Sequence, residues 1–103
     1  MSRIEKLKEM LIDSPQDSFL KHALALEYIK DGDDKSAQKL FEEVLQKEPG
    51  YVGSYYHLGK LLERTGKPEM ATAIYERGIV ECKKQNDRHA MSELQAAYDD
   101  LTT

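Results

Sequence analysis

The sequence predicts an all-α protein of six helices, arranged as antiparallel pairs in a repeated structure. Apolar residues recur every three or four positions through most of the chain, which is the spacing of amphipathic helices. No segment alternates with the period of two that is typical of strands, so no strand is predicted. Four positions recur 34 residues apart, as Leu24 and Leu58, Gly32 and Gly66, Ala37 and Ala71, and Phe41 and Tyr75. A fixed period of about 34 residues is typical of proteins that stack helical repeats.

The composition is that of a single folded domain. The chain has 103 residues, of which 40% are hydrophobic and 33% are charged, with only three prolines. Its net charge of −4 lacks the basic excess with which proteins bind phosphate backbones, so no nucleic acid partner is expected. The single cysteine, Cys82, excludes an internal disulfide and is typical of a reducing compartment.

Neither export nor membrane insertion is predicted. The chain begins with a charged segment that has no apolar run of signal-peptide length. No stretch approaches the ~20 apolar residues that a helix needs to span a bilayer. We therefore expect a cytoplasmic protein without membrane contact.

The first two helices are predicted from apolar spacing and from the residues that interrupt it. Ile4, Leu7 and Leu11 step by three and four, which predicts a helix over about residues 3–13. Pro15 ends it, because the residue before a proline is pushed out of helical geometry. Asp17 is a suitable N-cap for the second helix.

The remaining helices are bounded by turn residues. Gly32 can adopt the left-handed conformation that closes a helix, and an aspartate after it can cap the third helix, which ends before Pro49. The fourth helix is predicted over about residues 51–65, with Gly66 as its end. Pro68 suits the first turn of the fifth helix. The terminal helix is predicted at about 88–101 from the spacing of Ala90, Leu94, Ala97 and Leu101.

The repeated positions have packing and turning roles. Small residues at 25, 37, 59 and 71 would let two antiparallel helices approach closely. Phe41 and Tyr75 would fill the space between one helix pair and the next helix. Gly32 and Gly66 would form the tight turn inside each pair, where a β-carbon would be strained.

In this register the chain resembles the tetratricopeptide repeat (TPR) family, whose helix–turn–helix repeat has 34 residues. The second repeat has Tyr55 at the usual tryptophan position, Leu62 at the usual tyrosine and Gly78 at a usual alanine. The chain departs from the pattern at Lys21, where an aromatic is expected, and at Lys83, where the closing proline is expected. The repeat-packing residues that the resemblance identifies are Leu24, Ala25, Tyr28, Gly32, Ala37, Phe41, Pro49, Tyr55, Leu58, Gly59, Leu62, Gly66, Ala71, Tyr75 and Gly78.

The length predicts one domain over residues 1–103, and the resemblance covers about residues 17–85 of it. An N-terminal helix at 1–14 would precede TPR repeats at 17–50 and 51–85, and a capping helix at 87–101 would follow them. The pairs would stack as a short right-handed superhelix, a TPR-like α-solenoid, as in small stand-alone bacterial proteins of this family. The alternative is a generic helical bundle whose spacing is coincidental.

The resemblance also implies a function. TPR proteins bind peptides or proteins on a concave face lined by the first helix of each pair, so we expect an adaptor or scaffold. The groove positions would be Phe19, His22, Leu26 and Ile29 in the first repeat, and Gly53, Tyr56, Lys60 and Glu63 in the second. Alternatively, Phe19 and Leu26 pack beneath the first helix. The lysine and asparagine with which some family members clamp a terminal carboxylate are absent here.

A second hypothesis is structural. The chain would form a homo-oligomer, or one subunit of a larger assembly, without a transient peptide ligand. Two repeats give only a short groove, and exposed apolar residues such as Met10, Ile12 or Leu101 would supply the contact.

No catalytic, metal or cofactor chemistry is predicted. His22, His57 and His89 fall on three different helices and lack the short spacings of metal sites, and Cys82 has no cysteine partner. The glycines are isolated at turns and form no phosphate-binding cluster. We therefore expect no enzyme and no cofactor.

Overall fold

The computed structural model describes residues 1–103 and contains six α-helices and no strands, which confirms the predicted all-α class. The chain divides into an N-terminal unit, Met1–Glu48, and a C-terminal unit, Pro49–Thr103. No helix combines the length and the apolar character that crossing a bilayer requires. The helices are α1 (Arg3–Asp13), α2 (Ser18–Lys30), α3 (Asp34–Lys47), α4 (Gly53–Arg64), α5 (Pro68–Gln85) and α6 (Arg88–Thr102).

Side-chain caps fix the helix starts of the N-terminal unit. Ser2 and Glu5 form a reciprocal capping box at α1, in which each side chain accepts the other residue's backbone N–H. Asp17, as predicted, caps α2 by accepting the N–H of Leu20 at 3.0 Å. Asp33 caps α3 by accepting the N–H of Ser36 at 3.1 Å. These bonds satisfy N–H groups that have no partner within the helix.

The core of the N-terminal unit joins the α2–α3 pair to α1. Ala25 and Ala37 are fully buried, and Phe41 fills the space beside them without exposure. Leu7 of α1 packs with Ala23 and Leu24 of α2. Gly32 makes the α2–α3 turn at φ +81°, a left-handed conformation that favours glycine. Further apolar side chains lie partly buried against this cluster, namely Ile4, Leu11, Leu20, Tyr28 and Leu40.

In the C-terminal unit, α4 and α5 form a second pair through the Gly66 turn at φ +80°. Gly59 on α4 faces Tyr75 on α5 so closely that an added β-carbon would overlap the tyrosine ring. Gly78 on α5 faces Tyr55 in the same way. Both tyrosines are fully buried, so glycine is what allows the two helices to pack around aromatic rings.

Helix α6 follows a sharp break and packs on the α4–α5 pair. Asn86 has left-handed backbone (φ 59°), and Asp87 caps α6 by accepting the N–H of Ala90 at 3.1 Å. Leu94 and Ala97 are buried, and Leu94 would contact a β-carbon added at Gly78. The face of α6 that carries these two residues is therefore the packing face.

Two details differ from the predictions. Helix α4 begins at Gly53 rather than near residue 51. The backbone N–H groups of Ser54 and Tyr55 donate to carbonyls only three residues earlier, so the chain forms a tighter turn before the α-helix begins. Leu101 is partly buried rather than exposed, since it continues the packing face of α6 four residues after Ala97. The prediction that Leu101 is an exposed oligomer contact is therefore wrong, whereas Met10 and Ile12 are exposed as predicted.

Candidate functional site

A depression of about 240 Å³ lies between α4 and α6 in the C-terminal unit. Two predicted groove residues, Tyr56 and Lys60, form its α4 side. We call it the α4–α6 depression. It is lined by Tyr56, Lys60, Glu93, Ala96, Ala97 and Asp100.

Residue spacing on the two helices explains why the depression forms. Tyr56 and Lys60 are four residues apart and share one face of α4. On α6, Glu93, Ala97 and Asp100 step by four and three, so they also share one face. Ala96 and Ala97 carry only a methyl group each, so the space opposite Tyr56 remains open.

The charge of Lys60 is engaged on its own helix. Its Nζ lies 3.7 Å from a carboxylate oxygen of Glu63 and 5.8 Å from the centroid of the Tyr56 ring. Glu63 also accepts a hydrogen bond from the Tyr75 hydroxyl. Burial, reinforced by this bond to Glu63, raises the pKa of Tyr75, so the hydroxyl stays protonated and keeps donating. Glu63 is thereby fixed beside Lys60.

The α6 side of the depression is acidic. Glu93 lies 4.0 Å from Nε2 of the exposed His89 and close enough to His57 to affect it electrostatically. Burial lowers the pKa of His57, and the charge of Glu93 opposes that shift. Asp100 is exposed and forms neither an ion pair nor a side-chain hydrogen bond. Two carboxylates therefore face one lysine.

The predicted groove residues of the N-terminal unit have different environments. Phe19 is 64% exposed, so the alternative that it packs beneath the first helix is wrong for this residue. His22 is half-buried and contacts the Phe41 ring edge-on at a centroid distance of 5.5 Å. Leu26 and Ile29 are half-buried. Of these four side chains, Phe19 is the one most available to a partner.

Lys21, at a position where an aromatic residue is expected, forms a salt bridge. Its Nζ lies 3.2 Å from Glu43, and its side chain is only 14% exposed. The two residues line a polar depression of about 390 Å³ together with Gln16, Gln46 and Lys47. Lys47 donates to the Gln16 carbonyl at 2.6 Å, which ties the end of α3 to the loop before α2.

The repeat-packing residues fall into three environments. Tyr28 is half-buried, Pro49 is exposed, and Gly32 and Gly66 occupy exposed turns. The Pro49 carbonyl accepts a hydrogen bond from the Tyr55 hydroxyl at 2.6 Å. The others are buried, namely Leu24, Ala25, Ala37, Phe41, Tyr55, Leu58, Gly59, Leu62, Ala71, Tyr75 and Gly78.

The reactive side chains are dispersed. Cys82 is fully buried, and burial raises the pKa of its thiol, so it is held as the poorly nucleophilic thiol form. No group of three or more His, Cys, Asp or Glu side chains is arranged to hold a metal ion.

Sequence reasoning missed the α6 side of the depression. It predicted the last helix as a capping helix and gave Glu93, Ala96 and Asp100 no part in the groove. The step of four and three from Glu93 to Asp100 was the available signal. That spacing alone does not show which helix lies opposite.

The fold and its packing are those of a helical-repeat protein. A glycine forms the turn inside each helix pair, and glycines contact tyrosine side chains between α4 and α5. Residues 28–98 match the family model described as tetratricopeptide repeat, and the chain therefore belongs to the TPR family. The predicted TPR-like solenoid class is confirmed. Members of this family bind protein or peptide partners in general, and they are generally non-enzymatic adaptors.

Solved structures and curated proteins place the chain among small TPR proteins. The crystal structure of a TPR domain protein from Salinibacter ruber is 40% identical with a TM-score of 0.80, over 84% of this chain and 96% of that one. A TPR repeat-containing protein of Pseudomonas aeruginosa is 25% identical over 91 residues, which are 88% of this chain and 87% of the relative. The TPR2B domain of yeast Sti1, solved in complex with pHsp70, is 15% identical with a TM-score of 0.88 and shows similarity of fold. It covers 96% of this chain and 79% of that domain's chain.

Proposed function

We propose that this chain is an adaptor that binds a segment of a protein partner at the α4–α6 depression and carries no catalytic activity of its own. The observation that carries the proposal is the position of Tyr56 and Lys60. The family register assigns both residues to the binding face, and both line an open depression. The proposed contact also includes Ala96 and Asp100 of α6.

The depression has the side-chain chemistry of a protein contact. Tyr56 is half-buried and supplies a rigid ring with a polar tip, a combination that is enriched where proteins bind most strongly. The methyl groups of Ala96 and Ala97 provide an apolar floor. Phe19 is proposed as a separate apolar contact of the N-terminal unit, because 64% of it remains exposed.

Site-specific cross-linking tests this proposal. A photoreactive phenylalanine analogue at position 56 is expected to capture a discrete partner in extracts of the source cell. The same analogue at Glu76, which is exposed on α5, is the matched control. Capture at 76 equal to that at 56 would contradict the proposal. Added as an unlabelled competitor, the wild-type chain is expected to lower the yield of the captured partner, and Tyr56→Ala is expected to lower it less.

A homo-oligomer is the second candidate, and exposed apolar residues on α1 favour it. Ile12 is 78% exposed and Met10 is 52% exposed. Light scattering over a concentration series tests it, with Ile12→Lys as the variant that should dissociate an oligomer. A monomer at every concentration removes this candidate. Neither outcome changes the expectation for cross-linking at position 56.

A further inference from the structure

We infer that the α4–α6 depression selects a lysine or arginine side chain of the partner. The inference rests on the proposed function, since it specifies which chemistry the bound segment presents. The aliphatic stem of the basic side chain would lie on Ala96 and the Tyr56 ring. Its cationic head would meet Glu93 or Asp100.

The balance of charge around the depression favours a cation. Glu93 and Asp100 supply two negative charges on α6, and Lys60 supplies the only positive charge among the lining residues. Lys60 is already paired with Glu63 at 3.7 Å, and Glu63 is fixed in turn by the Tyr75 hydroxyl. A carboxylate of the partner would have to compete with Glu63 for Lys60, whereas a cation would meet Asp100 without displacing any ion pair.

The position of Asp100 supports the same conclusion. The last turn of a helix has a partial negative charge, so cations are favourable there and carboxylates are not. The last turn of α6 nevertheless carries Asp99 and Asp100 and no basic residue. Asp99 accepts a hydrogen bond from Gln95 at 3.1 Å, so its carboxylate is stabilised within α6 itself. Asp100 has no such bond, and residues that break a local rule without compensation are typical of binding sites.

The length of the depression suits a long side chain. Glu93 and Asp100 are seven residues apart, which places them roughly 10 Å apart along the helix axis. The alanine floor lies between them. An extended lysine or arginine that enters over Ala96 can therefore direct its charged end to either carboxylate. A short or branched apolar side chain would leave Asp100 without a partner.

Paired small-molecule probes test the selectivity directly. N-acetyl-arginine methylamide and its neutral isostere, N-acetyl-citrulline methylamide, would be titrated into the isotopically labelled full chain and followed by NMR. Arginine is expected to give saturable shifts at Tyr56, Ala96 and Ala97, and to bind up to about fivefold more tightly than citrulline, as expected for exposed charge pairs. Equal binding of the two probes would overturn the inference.

Three variants identify the groups responsible. Glu93→Gln combined with Asp100→Asn is expected to abolish the preference for arginine over citrulline. The chain should still fold, because both side chains are exposed and Asp100→Asn removes an unfavourable charge from the end of α6. Asp99→Asn is the control for position, since it removes one negative charge at the residue next to Asp100 but outside the lining, and it should keep the preference. Lys60→Gln is expected to strengthen arginine binding, because it removes the competing cation.

The outcomes separate this inference from the proposed function. If Asp99→Asn weakens arginine binding as much as the double change does, the preference reflects general charge and the inference fails. If the partner cross-linked at position 56 is retained equally by the double variant, the inference fails while the adaptor function stands. If cross-linking at 56 captures nothing, the adaptor proposal fails, and the probe titration still decides whether the depression selects a cation.

Discussion

At the scale of single residues, the contact between Gly59 and Tyr75 shows how one missing side chain shapes the C-terminal unit. A β-carbon at Gly59 would overlap the Tyr75 ring. The ring is fully buried, and its hydroxyl donates to Glu63 of α4. The tyrosine is therefore held at both its face and its tip. The separation of α4 and α5 depends on a residue that contributes no side-chain volume.

Gly59→Ala is expected to destabilise the protein. Alanine in a helix is more favourable than glycine by about 1 kcal/mol, but overpacking a core typically costs about 1–3 kcal/mol or more. Since a restrained aromatic ring would have to move, we expect a net loss in the free energy of unfolding, measured with urea. In a Tyr75→Leu background the same change should cost less or become favourable. An alanine variant as stable as the parent chain would contradict the close contact between Gly59 and the Tyr75 ring.

His57 predicts a dependence of stability on pH. Burial lowers the pKa of His57 below its usual 6.5, so the unfolded chain binds a proton there more readily than the folded chain. The corresponding stability is fully present above the unfolded pKa and is lost as the pH falls through 6.5 towards the folded value. Urea unfolding at about pH 7.5 and pH 5.5 measures this loss. His57→Gln should reduce it, whereas His89→Gln, at a side chain 90% exposed, should leave it unchanged.

At the scale of helices, α6 contributes both to the core of its unit and to the depression, and Ala97 belongs to both. Leu94 and Ala97 pack against the α4–α5 pair, while Glu93 and Asp100 border the depression. Leu94 reaches Gly78, where the absence of a side chain makes room for it. The last helix therefore protects the core of its unit and completes the candidate site.

Leu94→Ala tests the packing face of α6. Leu94 is 1% exposed, and truncating a buried leucine typically costs about 2–5 kcal/mol through the lost contacts and the cavity left behind. Thermal and urea unfolding should both show the loss. Gln95→Ala, the exposed neighbour, should change stability by less than about 0.5 kcal/mol. Equal effects of the two changes would show that α6 does not pack as described.

The helices were predictable from sequence because their signals are local. Asp17 and Asp87 cap the helices that follow them, and Pro68 lies in the first turn of α5. Exposure is less predictable, since helical spacing does not show which neighbours cover a face. Phe19 is exposed and Lys21 is largely buried for that reason. The depression also depends on α6 lying beside α4, a tertiary relation that the register of the two repeats does not contain.

At the scale of the whole molecule, net charge and local charge should act on different steps of binding. The chain carries a formal charge of −4, so a basic partner would be attracted over a distance before any contact forms. That attraction raises the rate of association and is weakened by salt. Contacts at Glu93 and Asp100 would instead hold the bound side chain and slow its dissociation.

Association with a basic partner segment is therefore expected to slow as salt is added. Raising the ionic strength from about 0.02 M to about 0.3 M shortens the screening length from roughly 20 Å to roughly 6 Å, which removes the long-range attraction. Stopped-flow measurements with an arginine-containing peptide of the captured partner should show a falling association rate constant and a nearly constant dissociation rate constant. Glu42→Gln and Glu76→Gln together, at exposed positions outside the depression, should reproduce part of the slower association. Glu93→Gln with Asp100→Asn removes the same charge but should also speed dissociation, and equal dissociation rates for the two pairs would show that the bound cation does not contact these carboxylates.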